Sequence, residues 1–204
     1  MDSNHDTQAT VMAPPPAIAI VLDTETTGLP PWHRDTKRIA DWDKCRMVQL
    51  AWMVVEGDEN LSSYNAIIKP DGFEIPAVVT NIHGISTERA HKEGRDIEEV
   101  LHAFQVTLER YPNATIVAHN LEFDWAILIT EAMRLEMAHL LALMHDRKTH
   151  CTMRKAVEIK KGKWPKLAAL YKELFDTEPE GTAHDAMWDV HTCAMIYKRQ
   201  SKQI

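Results

Sequence analysis

Ala17-Ile18-Ala19-Ile20-Val21-Leu22-Asp23-Thr24-Glu25-Thr26-Thr27-Gly28 is the stretch whose reading decides the fold. Ala17 to Leu22 is apolar without interruption, as a central strand covered on both faces requires. The strand then runs into Asp23 and Glu25, and period-2 geometry points these two carboxylates to the same side of a sheet. Thr26-Thr27-Gly28 turns the backbone away, and Gly28, without a Cβ, lets a ligand approach closely. Taken alone, a D-x-E at a strand end is also a common acidic turn, so its meaning depends on what the rest of the chain brings beside it.

Outward from that strand, Met47 to Val55 and Ser62 to Lys69 read as two more strands, joined by the turn-rich Glu56-Gly57-Asp58-Glu59-Asn60 into an antiparallel hairpin. Ile97, Val100, Leu101, Phe104 and Leu108 keep the rhythm of a helix with one buried face. Thr115 to His119 is a short strand, and Asn120 can cap a helix carrying Trp125, Leu128, Ile129 and Ala132. Pro165 suits a helix first turn, followed by the stripe Leu167, Leu170, Tyr171 and Leu174. A last helix buries Ala186, Val190, Cys193, Ala194 and Tyr197. The expected architecture is a mixed α/β sheet with an antiparallel first hairpin and helices on both faces. Residues 1–16, polar and ending in Pro14-Pro15-Pro16, read as a flexible tail, and residues 17–200 as a single domain.

The chain has 204 residues, 45% hydrophobic and 26% charged, which suits one ordinary core-bearing domain. No apolar run approaches the ~20 residues of a membrane span. Cys45, Cys151 and Cys193 make neither a disulfide framework nor a Cys-rich zinc module, and suit a reducing compartment. No Lys or Arg precedes Arg34, which removes the basic start of a secretory signal, so a cytoplasmic address is expected. A net charge of −7 argues against holding nucleic acid by bulk attraction. Yet eight basic residues stand between Arg147 and Lys166 against Glu158 alone, so an acidic body carries one basic segment.

Asp124 falls in the first turn of its helix, where the helix dipole alone would explain an acid. His184 and Asp189, around the start of the last helix, read separately as capping or surface residues. Together with Asp23 and Glu25, however, these acids can converge at one edge of a sheet. Four carboxylates in one cleft repel each other and take up protons unless a cation joins them. Oxygen donors alone favour Mg²⁺ or Mn²⁺ over zinc, and two such ions can stabilise the attacking and leaving oxygens of phosphodiester cleavage. His145, His150 and Cys151 have no zinc-site spacing.

Val-Leu-Asp-Thr-Glu-Thr-Thr-Gly-Leu from Val21, Val-Ala-His-Asn-Leu-Glu-Phe-Asp from Val117 and His-Asp-Ala-Met-Trp-Asp from His184 resemble, in order and approximate spacing, the three motifs of the DEDDh 3′→5′ exonuclease family. The resemblance spans about Ile18 to Tyr197 and is greatest to the branch of the bacterial proofreading subunit and RNase T; Ile82-His83-Gly84-Ile85-Ser86 resembles a weaker element of that branch. It implies an RNase H-like fold and a site in which Asp23, Glu25, Asp124 and Asp189 hold two Mg²⁺ or Mn²⁺ ions while His184 is the general base. The Tyr subclass would need that residue at position 185, where Asp185 stands and suits a helix cap. The resemblance also implies contacts to the terminal nucleotide from Thr26, Thr27, Gly28, Leu29, His83, Asn120 and Phe123, though His83 and Phe123 read equally well as packed residues. The implied reaction releases nucleoside 5′-monophosphates from single-stranded or frayed 3′ ends, DNA slightly ahead of RNA. The alternatives are an exoribonuclease and, in another class, a noncatalytic nucleic-acid or polymerase-binding module. Implied partners are single-stranded DNA or RNA and a polymerase, with the chain a monomer or homodimer.

Between Pro30 and Arg46 the chain departs from that pattern with a long insertion. Trp32 and Trp42 among Arg34, Lys37, Arg38, Lys44 and Arg46 can stack on bases and meet phosphates, or else form a packed lid. The segment Arg147 to Lys166 can steer a phosphate backbone toward the acids, or be a solvated face.

Overall fold

The computed structural model describes residues 17–31, 39–160, 162–181 and 185–202. The expected tail, residues 32–38 of the insertion and His184 lie outside these residues.

β1 (Ile18–Thr26) runs antiparallel to β2 (Met47–Glu56), which pairs antiparallel with β3 (Glu59–Ile67). On its other side β1 pairs parallel with β4 (Thr115–Ala118), and β4 with the three-residue β5 (Thr149–Cys151). The strand order is β3-β2-β1-β4-β5. The hairpin and the mixed sheet are therefore as the sequence implies. β1 is longer than its apolar run because Asp23, Thr24 and Glu25 stay in register with Ala51, Leu50 and Gln49. β3 begins earlier than expected because Gly57, at φ 57°, tightens the turn.

Eight helices are described: α1 (Ala77–His83), α2 (Thr87–Glu93), α3 (Ile97–Arg110), α4 (Leu121–Arg134), α5 (Ala138–Met144), α6 (Thr152–Lys160), α7 (Leu167–Phe175) and α8 (Ala186–Ser201). One layer packs beneath β1 and β2, where Ile20, Leu22 and Leu50 meet Phe104 and Leu108 of α3, Leu128 of α4 and Leu140 of α5. On the opposite face Ala19, Val21, Ala51 and Met53 meet Ala186, Val190 and Cys193 of α8. Helices thus cover both faces. No helix among the described residues is long and apolar enough to cross a membrane.

Two helix starts differ from expectation. Pro165 lies before α7, which begins at Leu167 after Lys166 at the N-cap. Asn120 stands at the N-cap of α4 in the left-handed region, φ 70°, and its side chain makes no capping bond; its carbonyl accepts from Phe123 N at 2.9 Å. A left-handed residue lets the chain turn sharply from β4 into α4, and Asn tolerates that conformation better than most.

Candidate active site

Alternation along β1 builds the site. Ile20 and Leu22 face the core beneath α3, α4 and α5, while Ala19 and Val21 face α8. Continued two residues further, the same alternation sends Asp23 and Glu25 to the α8 side and Thr24 to the α4 side. Asp189, in the first turn of α8, completes a trio: one carboxylate oxygen from each of Asp23, Glu25 and Asp189 lies within 4.8 Å of the other two. Asp124 reaches the strand end from the opposite face. It is 2% exposed, and its Oδ1 accepts from both Thr24 N, at 2.9 Å, and Thr24 Oγ1, at 2.8 Å. Four acids therefore grip one strand end, three on one face and the fourth through Thr24. Asp185 caps α8, its carboxylate accepting from Met187 N at 3.0 Å and Trp188 N at 3.3 Å.

Burial and mutual repulsion make this group reluctant to ionise fully. Desolvation, then the charges of Asp124, Asp189, Glu25 and Asp185, hold Asp23 well above the usual carboxylate range. Desolvation, followed by Asp189 and Asp124, pushes Glu25 up to about 8. Asp124 is raised to about 7 by burial even though the Thr24 hydrogen bonds favour its charged form. An all-oxygen donor set that close together, and that short of positive charge, fits hard divalent cations. Among the described residues it is the one such grouping of acids, histidines and cysteines.

The turn after β1 is braced from the side. Thr26 Oγ1 donates to Gly28 O at 2.7 Å and Thr27 Oγ1 to Lys44 O at 3.1 Å. Arg46 N donates back to Thr27 Oγ1 at 2.9 Å, Thr27 N to Arg46 O at 2.9 Å, and Cys45 Sγ to Gly28 O at 2.9 Å. A Cβ on Gly28 would stand 2.8 Å from Lys44 O. Packing against the Lys44 carbonyl is thus a second reason for a glycine at this position, beside the expected room for a ligand. Leu29 projects beyond the brace, 82% exposed. His83 is buried, its Nδ1 accepting from Ile85 N at 3.1 Å. Phe123 is half-buried against the main core, and Asn120 is exposed at the same sheet edge as the acids. Of the insertion, Trp42 packs against the main core from the short 3-10 helix Ile39–Trp42; Trp32, Arg34, Lys37 and Arg38 lie outside the described residues.

The RNase T exonuclease family model matches residues 20–197, nearly all of the described chain. The chain belongs to the exonuclease family. The resemblance carried by the three motifs is borne out. The fold is shared with the nuclease domain of 3′hExo, titled a DEDDh family member bound to rAMP, at 12% identity and a TM-score of 0.72, covering 92% of this chain and 93% of that one. It is shared also with E. coli exonuclease I in complex with a dT13 oligonucleotide, at 19% identity and a TM-score of 0.70, covering 92% of this chain. A full-length 3′-exonuclease aligns at 10% identity and a TM-score of 0.70 over 97% of this chain. The chain spans 64% and 42% of the lengths of the last-named structure and of exonuclease I. No curated protein sequence matches closely enough to carry an argument.

Four residues go beyond what the sequence reveals. Thr24, between the two acids, anchors Asp124; its signal was a polar residue pointing to the helix side of a buried strand. Glu131, 1% exposed on α4, accepts from Arg46 Nε at 2.8 Å, Arg46 Nη2 at 3.2 Å and Met47 N at 3.0 Å, and so fixes the brace. Its signal was its place seven residues after Asp124, on the same helix face. His119 Nε2 lies 2.9 Å from Pro165 O and Nδ1 2.9 Å from Thr152 Oγ1. Because a carbonyl can only accept, Nε2 carries the proton and Nδ1 accepts from the hydroxyl. Arg147 donates to the carbonyls of Leu143, Tyr111, Pro112 and Leu108, closing the carboxyl ends of α3 and α5. It therefore leaves the basic segment as a structural cation.

Proposed function

We propose that the chain is a metal-dependent 3′→5′ exonuclease that releases nucleoside 5′-monophosphates from single-stranded or frayed 3′ ends. The observation that carries this reading is the convergence of Asp23, Glu25 and Asp189, with Asp124 tied in through Thr24, in a chain of the exonuclease family. Asp23, Glu25, Asp124 and Asp189 would hold two Mg²⁺ or Mn²⁺ ions, which supply charge stabilisation to the attacking and leaving oxygens.

The protein's own part is positioning and proton transfer. Thr24 fixes the Asp124 carboxylate, so that it need not reorganise when substrate arrives. The braced Thr26 to Leu29 turn offers its backbone and the Leu29 side chain to the terminal nucleotide. Asn120 stands at the same sheet edge to meet it, and Phe123 and His83 are the further contacts that the resemblance implies. His184 takes the proton of the attacking water; the new P–O bond forms as the bond from phosphorus to the 3′ oxygen of the preceding nucleotide breaks. That oxygen gains a proton and becomes the new 3′ end. A neutral imidazole suits this task, since its ordinary pKa of ~6.5 leaves it free to accept at neutral pH.

DNA is our first expectation and RNA the second, and the neighbours of this fold hold both chemistries, dT13 in one case and rAMP in another. The decisive experiment digests 5′-labelled and 3′-labelled DNA and RNA oligonucleotides of matched sequence in Mg²⁺ and in EDTA. The expected pattern is a ladder shortening from the 3′ end, mononucleotide release, and silence in EDTA. Cleavage from the 5′ end, internal cleavage, or full activity in EDTA would overturn the assignment.

A further inference from the structure

Two cavities with common walls lie at the end of β4 and along β5, and none of the four acids lines either. The smaller, ≈ 140 Å³, opens at Asn120 and is walled by Glu122, Arg154 and the indole of Trp164. The larger, ≈ 470 Å³, shares Glu122 and Arg154 with it and continues past Trp125 and Lys155. The second alone falls in the ~300–1,000 Å³ range of built ligand sites. Their position follows from the sheet. β1, β4 and β5 are parallel, so the carboxyl ends of all three lie at one edge, with the acids at the end of β1 and the cavities beside its neighbours, at Asn120 after β4 and along β5.

Trp164 is 59% exposed, an unusual place for an indole with no core to fill. It is held rather than loose, because the His119 imidazole ties the next residue, through Pro165 O, to the end of β4. Trp125, on α4, is half-buried against the main core and shows the rest of its ring to the second cavity. The cations between them are Arg154, paired with Glu122, and Lys155, 3.9 Å from Glu158. All four charged groups are half-buried or exposed, so these pairs are easily exchanged for other partners.

We propose that this surface is a groove for the single strand upstream of the cleaved 3′ end. Bases stack on Trp164 and Trp125, and phosphates displace Glu122 and Glu158 from Arg154 and Lys155. The proposal rests on the exonuclease reading and deepens it. It explains how an acidic protein grips a polyanion. The basic segment does not act as a block of charge, since Arg147 is occupied in holding α3 and α5. It acts through two paired cations set between two aromatic faces, where stacking is blind to sequence and to the sugar. The paired carboxylates would make binding of a lone phosphate poor and favour substrates that bring stacking as well.

Fluorescence anisotropy with 5′-labelled dinucleotides and single strands of about twelve nucleotides, DNA and RNA, tests it in EDTA, where metal-dependent cleavage is silent. Trp164→Ala should weaken the long strands about tenfold and the dinucleotides hardly at all. Trp164→Phe should restore most of the loss, and unchanged melting temperatures would show both variants folded. Arg154→Ala should act in the same direction, whereas Glu122→Gln, which releases Arg154, should tighten the long strands. In Mg²⁺ the same variants should change KM for long strands and leave kcat alone. Equal losses on long and short substrates, or no loss in Trp164→Ala, would overturn the groove. A wild-type protein that binds long strands through Trp164 but never cleaves them would instead overturn the exonuclease reading and leave the groove standing.

Discussion

Withdrawing the cation should make the protein less stable as the pH rises, the reverse of what paired surface carboxylates do. Glu25 moves from 4.5 in the unfolded chain to about 8 in the fold, and Asp124 from 3.8 to about 7. Between pH ~4.5 and ~8 the native state therefore holds protons that the unfolded chain has lost, and stability falls across that window. Each pKa unit corresponds to about 1.4 kcal/mol, so Glu25 titrating by itself would contribute ~5 kcal/mol. Protons shared with Asp23 and Asp124, and partial exposure of Glu25, reduce this to about 3 kcal/mol for the window. In a domain of this size that is a melting-temperature drop of ~6–12 °C. His119 and His150, whose imidazoles burial holds below their ordinary value, act in the opposite direction, losing stability as the pH falls. The quantity to read is therefore the difference between melts in saturating Mg²⁺ and in EDTA, at pH 5, 6.5 and 8. The Mg²⁺ increment should be small at pH 5 and largest at pH 8. Asp23→Asn, which removes one charge from the group, should raise the EDTA melting temperature at pH 8 while abolishing activity. An increment independent of pH would refute the account of the acid cluster.

Other perturbations separate the parts of the site. His184→Ala should lower kcat by roughly 10²–10⁴-fold with KM nearly unchanged, and steady-state kinetics over a pH series should lose the acidic limb. Thr24→Val keeps the backbone bond to Asp124 but removes the hydroxyl, and should raise the Mg²⁺ concentration for half-activation by about tenfold, read by metal titration. Arg46→Met leaves the Glu131 carboxylate buried without its main partner and should cost about 3–5 kcal/mol in urea denaturation, whereas Arg46→Met with Glu131→Met should recover most of it.

How much of this was legible beforehand depends on the range over which each feature is encoded. The strand carrying Asp23 and Glu25, the hairpin and the long amphipathic helices are local patterns, and the structure reproduces them. The convergence of Asp23, Glu25 and Asp189 followed from the first and third motifs, at a strand end and a helix start. By contrast, β5 has three residues, and α1, α2 and α5 have seven each, too short for a hydrophobic period to declare itself. The functional details that escaped are all long-range. Thr24 reads as a spacer until Asp124, a hundred residues on, arrives against it. Gly28 reads as a glycine that admits a ligand, and its second role, clearing Lys44 O, shows only when residue 44 arrives beside it. Arg147 carries the same letter as a phosphate-binding arginine, and only the carbonyls gathered around its guanidinium reveal a structural one.

The same reasoning bears on the insertion. Its described end is not an appendage, because Cys45 and Arg46 hold the turn that would meet the terminal nucleotide, and Glu131 holds Arg46. Burial pushes the Cys45 thiol up to about 12, so it stays a neutral donor to Gly28 O. Any change in the anchor is therefore passed to the turn by hydrogen bonds of ordinary length through buried groups that have no alternative partner in water. Gly28→Ala is the sharpest probe, since it presses on Lys44 O, a backbone atom that a side-chain rotation cannot move aside. The turn and the 44–46 segment must separate, at a cost of ~1–3 kcal/mol typical of overpacking. Displacement of Leu29 and the adjoining backbone should then raise KM at least tenfold on long and short substrates alike, unlike a groove variant. Wild-type KM in Gly28→Ala, with the protein folded, would mean that the brace does not set the position of the substrate turn.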